Sequence, residues 1–154
     1  MKSRLRNSFF ILIFSVISIS VNAQNNTNKS TKDLLVGSWV FDLEASKPNM
    51  ELKVKTMIEK NQAAYSRLEK DYRGRRLTFS TDGRFLLQLA DGRQTQGSWE
   101  LYKVNGVEIV KLTSLQNHVQ NLSIQMLSNQ SLVVKQEHNG KGAPVFSKWY
   151  FTKK

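Results

Sequence analysis

The chain has 154 residues, with 23 basic against 12 acidic side chains, a formal net charge of +11 and no cysteine. The lack of cysteine excludes disulfides, thiolate metal sites and a lipid-modified N-terminal cysteine, so stability has to come from a hydrophobic core. The basic excess favours an anionic partner.

Lys2, Arg4 and Arg6 precede an apolar run from Phe9 to Val21, and Val21-Asn22-Ala23 offers small residues ahead of Gln24. This order predicts a signal peptide over residues 1–23. The run falls short of the roughly 20 apolar residues that a bilayer core requires, so no transmembrane anchor is expected. The product is expected to be exported, either periplasmic or extracellular. Residues 24–32 hold no large apolar side chain and read as a flexible leader, because they cannot bury enough surface to offset their ordering entropy. Residues 33–154 then form one domain of ordinary size.

Within that domain a short helical turn over Thr31 to Leu35, capped by Ser30 or Thr31, leads into a first strand from Gly37 to Leu43. From Ser46 to Arg73, Met50, Val54, Met57/Ile58, Asn61, Tyr65, Leu68 and Tyr72 recur at intervals of three and four, a mostly apolar face that predicts one amphipathic helix ended by Gly74. After it the period switches to two. Leu77 and Phe79 precede Thr81-Asp82-Gly83, and Phe85, Leu87 and Leu89 precede Asp91-Gly92. Asp-Gly between alternating runs marks a hairpin, since glycine accepts the positive φ of a tight turn. Thr95 to Tyr102, Val107 to Thr113, Val119 to Leu127, Leu132 to Glu137 and Val145 to Thr152 complete the series. The expected fold is mainly β: an eight-stranded antiparallel up-and-down barrel with a helix inserted between strands 1 and 2.

Val36-Gly37-Ser38-Trp39 and its echo Gln96-Gly97-Ser98-Trp99, flanking a phenylalanine-containing Asp-Gly hairpin, resemble the Gly-x-Trp strands of the lipocalin and fatty-acid-binding superfamily. The arrangement looks like the small lipocalin-like domains that Bacteroidetes export. The resemblance covers about residues 33 to 153. It implies a barrel able to bind a small molecule, with a cation near the chain's end, Lys148 or Lys153, over the opening tryptophan. A helix between the first two strands is closer to the fatty-acid-binding arrangement than to a classical lipocalin. For Gly37, Trp39, Gly97 and Trp99 the residues themselves favour a structural role, with a large aromatic plugging the barrel and a nearby glycine letting the strand bend.

Little in the sequence offers catalysis. His118 and His138 lie in different turns or strand edges without ligand spacing, and neither Gly-Ser-Trp triplet has a nucleophile-elbow setting. Asp42, Glu100, Glu108 and Glu137 are scattered over strands. The reading is a non-enzyme, without metal, cofactor or nucleic-acid partner. Two functions remain open. In the first, a small apolar or amphipathic ligand sits in the barrel, walled by Phe79, Phe85, Leu87, Leu122 and Ile124 and covered by Met57, Tyr65 and Leu68 from the helix. In the second, the barrel is filled, and a basic surface binds an anionic envelope component or protein partner. Lys47 to Arg76 carries nine lysines and arginines against four acids, and Arg73-Gly74-Arg75-Arg76 is its densest part, able to converge on one carboxylate or phosphate.

Overall fold

The computed structural model describes residues 29–137 and 144–154, so the predicted signal peptide and most of the predicted leader lie outside the described residues. No helix among the described residues is long and apolar enough to cross a membrane. Helix α1 (Thr31–Leu35) leads into β1 (Gly37–Phe41). A helical insert follows, made of α2 (Leu43–Ser46), a 3₁₀ turn (Lys47–Asn49), α3 (Leu52–Lys60) and α4 (Gln62–Tyr72). The remaining strands are β2 (Arg76–Phe79), β3 (Arg84–Gln88), β4 (Gln94–Val104), β5 (Val107–Ser114), β6 (Val119–Leu127), β7 (Ser131–Glu137) and β8 (Trp149–Lys153).

The eight strands form a closed antiparallel barrel in sequence order, as the spacing of hairpin signals implies. Closure comes from β1 against β8, with Trp39 opposite Lys153 and Phe41 opposite Phe151. Up-and-down topology sorts the connections between two ends. The lower end holds the start of β1 and the β2–β3, β4–β5 and β6–β7 turns. The upper end holds the helical insert, the β3–β4 and β5–β6 turns, the end of β7 and the start of β8. Alternation turns Leu77, Phe79, Phe85, Trp99, Val110, Leu112, Leu122, Leu132, Val134 and Phe151 inward, where all are buried.

Two glycines are set by close approach. A side chain at Gly97 would bring its Cβ to 1.9 Å from the Thr113 carbonyl oxygen, so β4 can pass β5 this tightly only without one. Gly37 has φ +129°, and a Cβ there would meet the Lys153 side chain at 2.7 Å. Its bareness lets that lysine cross the strand.

The helical insert lies between strands 1 and 2, as expected, but it is divided. Pro48 sits in the first turn of the 3₁₀ segment, the position where its missing N–H costs least. Glu51 is extended and its carboxylate accepts from the Val54 N–H at 3.0 Å, starting α3 afresh. Asn61 is also extended; its backbone N–H reaches back to the Ile58 carbonyl while its side-chain oxygen caps Ala64 at 3.1 Å. Capping side chains thus compete with helix continuation, although the helical spacing carries on past them with Asn61 as its one polar member. The insert is tied to the chain ahead of β8: Met50 pairs with Phe146, and the Glu51 and Ser147 N–H groups donate to the Val145 and Asn49 carbonyls.

Candidate functional site

The lower end is a finished core. Trp39 is fully buried and its indole N–H donates to the Leu35 carbonyl at 2.7 Å; Trp99 donates to the Ser80 carbonyl at 3.1 Å and meets Phe79 edge-on. Of the two lysines that the resemblance offered, Lys153 takes the place over Trp39, 4.8 Å from the ring, and donates to the Leu34 carbonyl at 2.7 Å. Burial holds its pKa below the ordinary lysine value. The walls named from sequence belong to this packing. Phe79, Phe85 and Leu122 are buried in the core, and Leu87 and Ile124 pack against it.

The upper end is built differently. Arg75 precedes β2 and continues the inward alternation of Leu77 and Phe79; its carbonyl accepts from the Phe41 N–H, which anchors it to β1. Its guanidinium lies 4.2 Å from the centre of the Tyr72 ring, on α4, and 5.6 Å from Trp149, on β8. Tyr72 in turn meets Phe41 and Phe146 in an aromatic cluster that seals one side of the mouth. On the other side a cavity of about 440 Å³ is lined by Tyr72, Arg75, Trp149, the β6 residues Val119, Gln120 and Asn121, and Gln136 and Glu137 of β7. Gln120 and Gln136 are inward by alternation with Leu122 and Val134.

The electrostatics of this mouth are unbalanced. Arg75 takes part in none of the ion pairs among the described residues. Its Nη2 donates to the Asp71 carbonyl in a long bond of 3.4 Å, and its Nε has no partner among the described residues. The indole N–H of Trp149 and the Oδ1 of Asn121 are likewise without partners there. Each such buried group costs roughly 1–3 kcal/mol. Burial also lowers the Arg75 pKa, although an arginine stays charged at neutral pH, and it raises that of Tyr72.

The other residues singled out from the sequence are dispersed. The three arginines do not point one way. Arg73 pairs with Glu69 and, at 3.3 Å, with Glu44; Arg75 faces inward; Arg76, as the next residue in an extended chain, faces outward away from the cavity, its Nε also buried and without a partner among the described residues. Leu68 is buried under α4, while Met57 is 51% exposed, and both border a cleft of about 530 Å³ between α3 and α4. Tyr65 borders a separate cleft and accepts a hydrogen bond from Lys47 Nζ at 2.8 Å. None of these three helix residues lines the mouth cavity; Tyr72 does. Of the carboxylates read from the sequence, Asp42 caps α2, Glu100 pairs with Lys111, Glu108 accepts from Thr31, and Glu137 is exposed at the rim of the mouth cavity. A larger concavity, about 700 Å³, lies along β3, β4 and β5, but Arg84 on its edge is already held by Asp82. The mouth is the better candidate because its cation and indole are unsatisfied.

No model of a known family matches this chain, and no curated protein matches it.

Proposed function

We propose that this protein is an exported, lipocalin-like binding protein, not an enzyme, that holds a small amphipathic molecule at the helix-covered mouth of its barrel. The observation that carries the reading is the mouth cavity, in which the Nε of the partly buried Arg75 and the Trp149 N–H have no partner among the described residues. Proteins satisfy buried polar groups almost without exception, so a cluster of unsatisfied ones beside a cavity favours an occupant. The lower barrel adds a constraint. It is filled by side chains, so the occupant's place is the mouth and not the deep interior proposed by the wall residues alone. Of the four carboxylates read from the sequence, Asp42, Glu100 and Glu108 are engaged in capping, pairing and hydrogen bonding, which supports a non-catalytic role for them, while Glu137 lines the rim of the cavity.

A second reading has its own support. Helix α3 buries none of its residues and presents Leu52 beside Lys53, Lys55 and Lys60, none of them ion-paired among the described residues. A filled barrel could use that basic face toward an anionic envelope component or a protein.

Native mass spectrometry of the protein purified without detergent separates the two. The binding reading expects a discrete added mass that is lost on denaturation. A bare mass, unchanged by exposure to mixed small carboxylates and lipids, would transfer the case to the basic helix.

A further inference from the structure

We infer that the mouth recognises a short, polar oxyanion, of the carboxylate class, through Arg75 and the Trp149 indole N–H, and not the hydrocarbon chain of a lipid. The inference rests on the binding reading above and adds the ligand's chemistry to it.

Three observations carry it. The first is charge. Arg75 faces inward without an ion-pair partner among the described residues, and its guanidinium is the cation of the cavity lining. Among the groups nearby, Asp71 acts on Arg75 through its charge and gives it a long backbone-carbonyl bond, the Tyr72 side chain adds its own attraction, and Glu137 lines the exposed rim, none of them in ion-pair contact with Arg75; Arg93, on the β3–β4 turn, is held by Asp91 and adds positive potential. A carboxylate is the group that matches a guanidinium fork together with a neighbouring N–H donor. The second is the lining. Gln120 and Gln136 present carboxamides, which suit hydroxyl or amino groups on the same ligand and would leave a methylene chain facing unpaired polar atoms. The third is depth. Below the mouth, Leu77, Leu112, Leu122 and Phe151 close the interior, so a long chain has no channel to follow. The Tyr72 and Trp149 rings carry the Arg75 guanidinium over them and complete a short, partly aromatic lining.

The indole N–H signals of the three tryptophans report on this directly, because Trp39 and Trp99 are bonded to carbonyls at the far end and act as internal controls. With ¹⁵N-labelled protein, millimolar 4-hydroxybenzoate is expected to shift the Trp149 indole resonance and leave the other two in place. Its neutral amide should bind at least tenfold more weakly, and decanoate should bind no more tightly than acetate. Arg75→Gln should weaken 4-hydroxybenzoate by tenfold or more while the Trp39 and Trp99 resonances hold their positions, which shows that the barrel is intact. Equal binding of acid and amide, tighter binding of decanoate, or indifference to Arg75→Gln would overturn oxyanion recognition and leave the mouth as a binding site of another kind. An unmoved Trp149 resonance with every probe overturns the inference, and a bare native mass beside it removes the binding reading too.

Discussion

The two ends of the barrel each hold tryptophan and a basic side chain, yet they are finished to different standards. At the lower end Trp39 donates to Leu35, Trp99 donates to Ser80, and Lys153 both covers the Trp39 ring and donates to Leu34. At the upper end Arg75 covers Tyr72 and approaches Trp149, but the Arg75 Nε and the Trp149 N–H are left over among the described residues. The same pairing of cation and aromatic is therefore used once to complete a core and once to leave hydrogen-bonding capacity unspent. The first arrangement is what stability selects, and the second is what a binding site requires.

Substitution can break that contrast. Trp39→Ala removes a fully buried ring and its bond to Leu35, and should lower unfolding free energy by about 3–5 kcal/mol in urea denaturation. A loss below about 1 kcal/mol would mean that the lower end is not the stabilising core. Lys153→Met keeps the hydrocarbon stem but leaves the Leu34 carbonyl without its donor; the expected loss is smaller, about 1–2 kcal/mol, since removing the charge also relieves its burial. Trp149→Phe should change the stability of the ligand-free protein by less than about 1 kcal/mol, because relief of the unpartnered N–H offsets the packing lost with the smaller ring. A loss as large as that of Trp39→Ala would erase the distinction between the ends.

Much of the barrel was legible because its signals are local. Asp82-Gly83, Asp91-Gly92 and Asn105-Gly106 sit at turns with positive φ at each glycine, and period-two alternation places Phe79, Phe85 and Leu122 inward. The division of the helical insert was not legible from period alone. Helical spacing continues across Glu51 and Asn61, and what starts each helix afresh is the competition of a side-chain oxygen for backbone N–H groups; the polar Asn61 within the apolar face was the one signal of it in the sequence.

The site was half visible. Arg73, Arg75 and Arg76 stand out together as charge, and reading them together concealed that they belong to different environments. The useful signal was the alternation Arg75-x-Leu77-x-Phe79, which marks Arg75 alone as inward. Gln120 ahead of Leu122 and Gln136 after Val134 carry the same mark. Tyr72 and Trp149 could not be matched to them from sequence, because their meeting depends on where α4 and the connection into β8 return over the mouth.

The seam between β1 and β8 has a consequence for how the molecule is made. The strand that closes the barrel is the eighth, and it joins the first through contacts that span more than a hundred residues, as between Trp39 and Lys153. Such distant pairings carry a large loop-closure entropy before they return any stabilisation, so closure is expected to be the late and slow event of folding. Until β8 arrives, β1 offers a bare edge, Lys153 is absent from Trp39, and Trp149 is absent from Arg75. One late event thus completes both the sealed end and the receptive one, and a nascent chain has neither its full core nor its candidate site until the last strand docks.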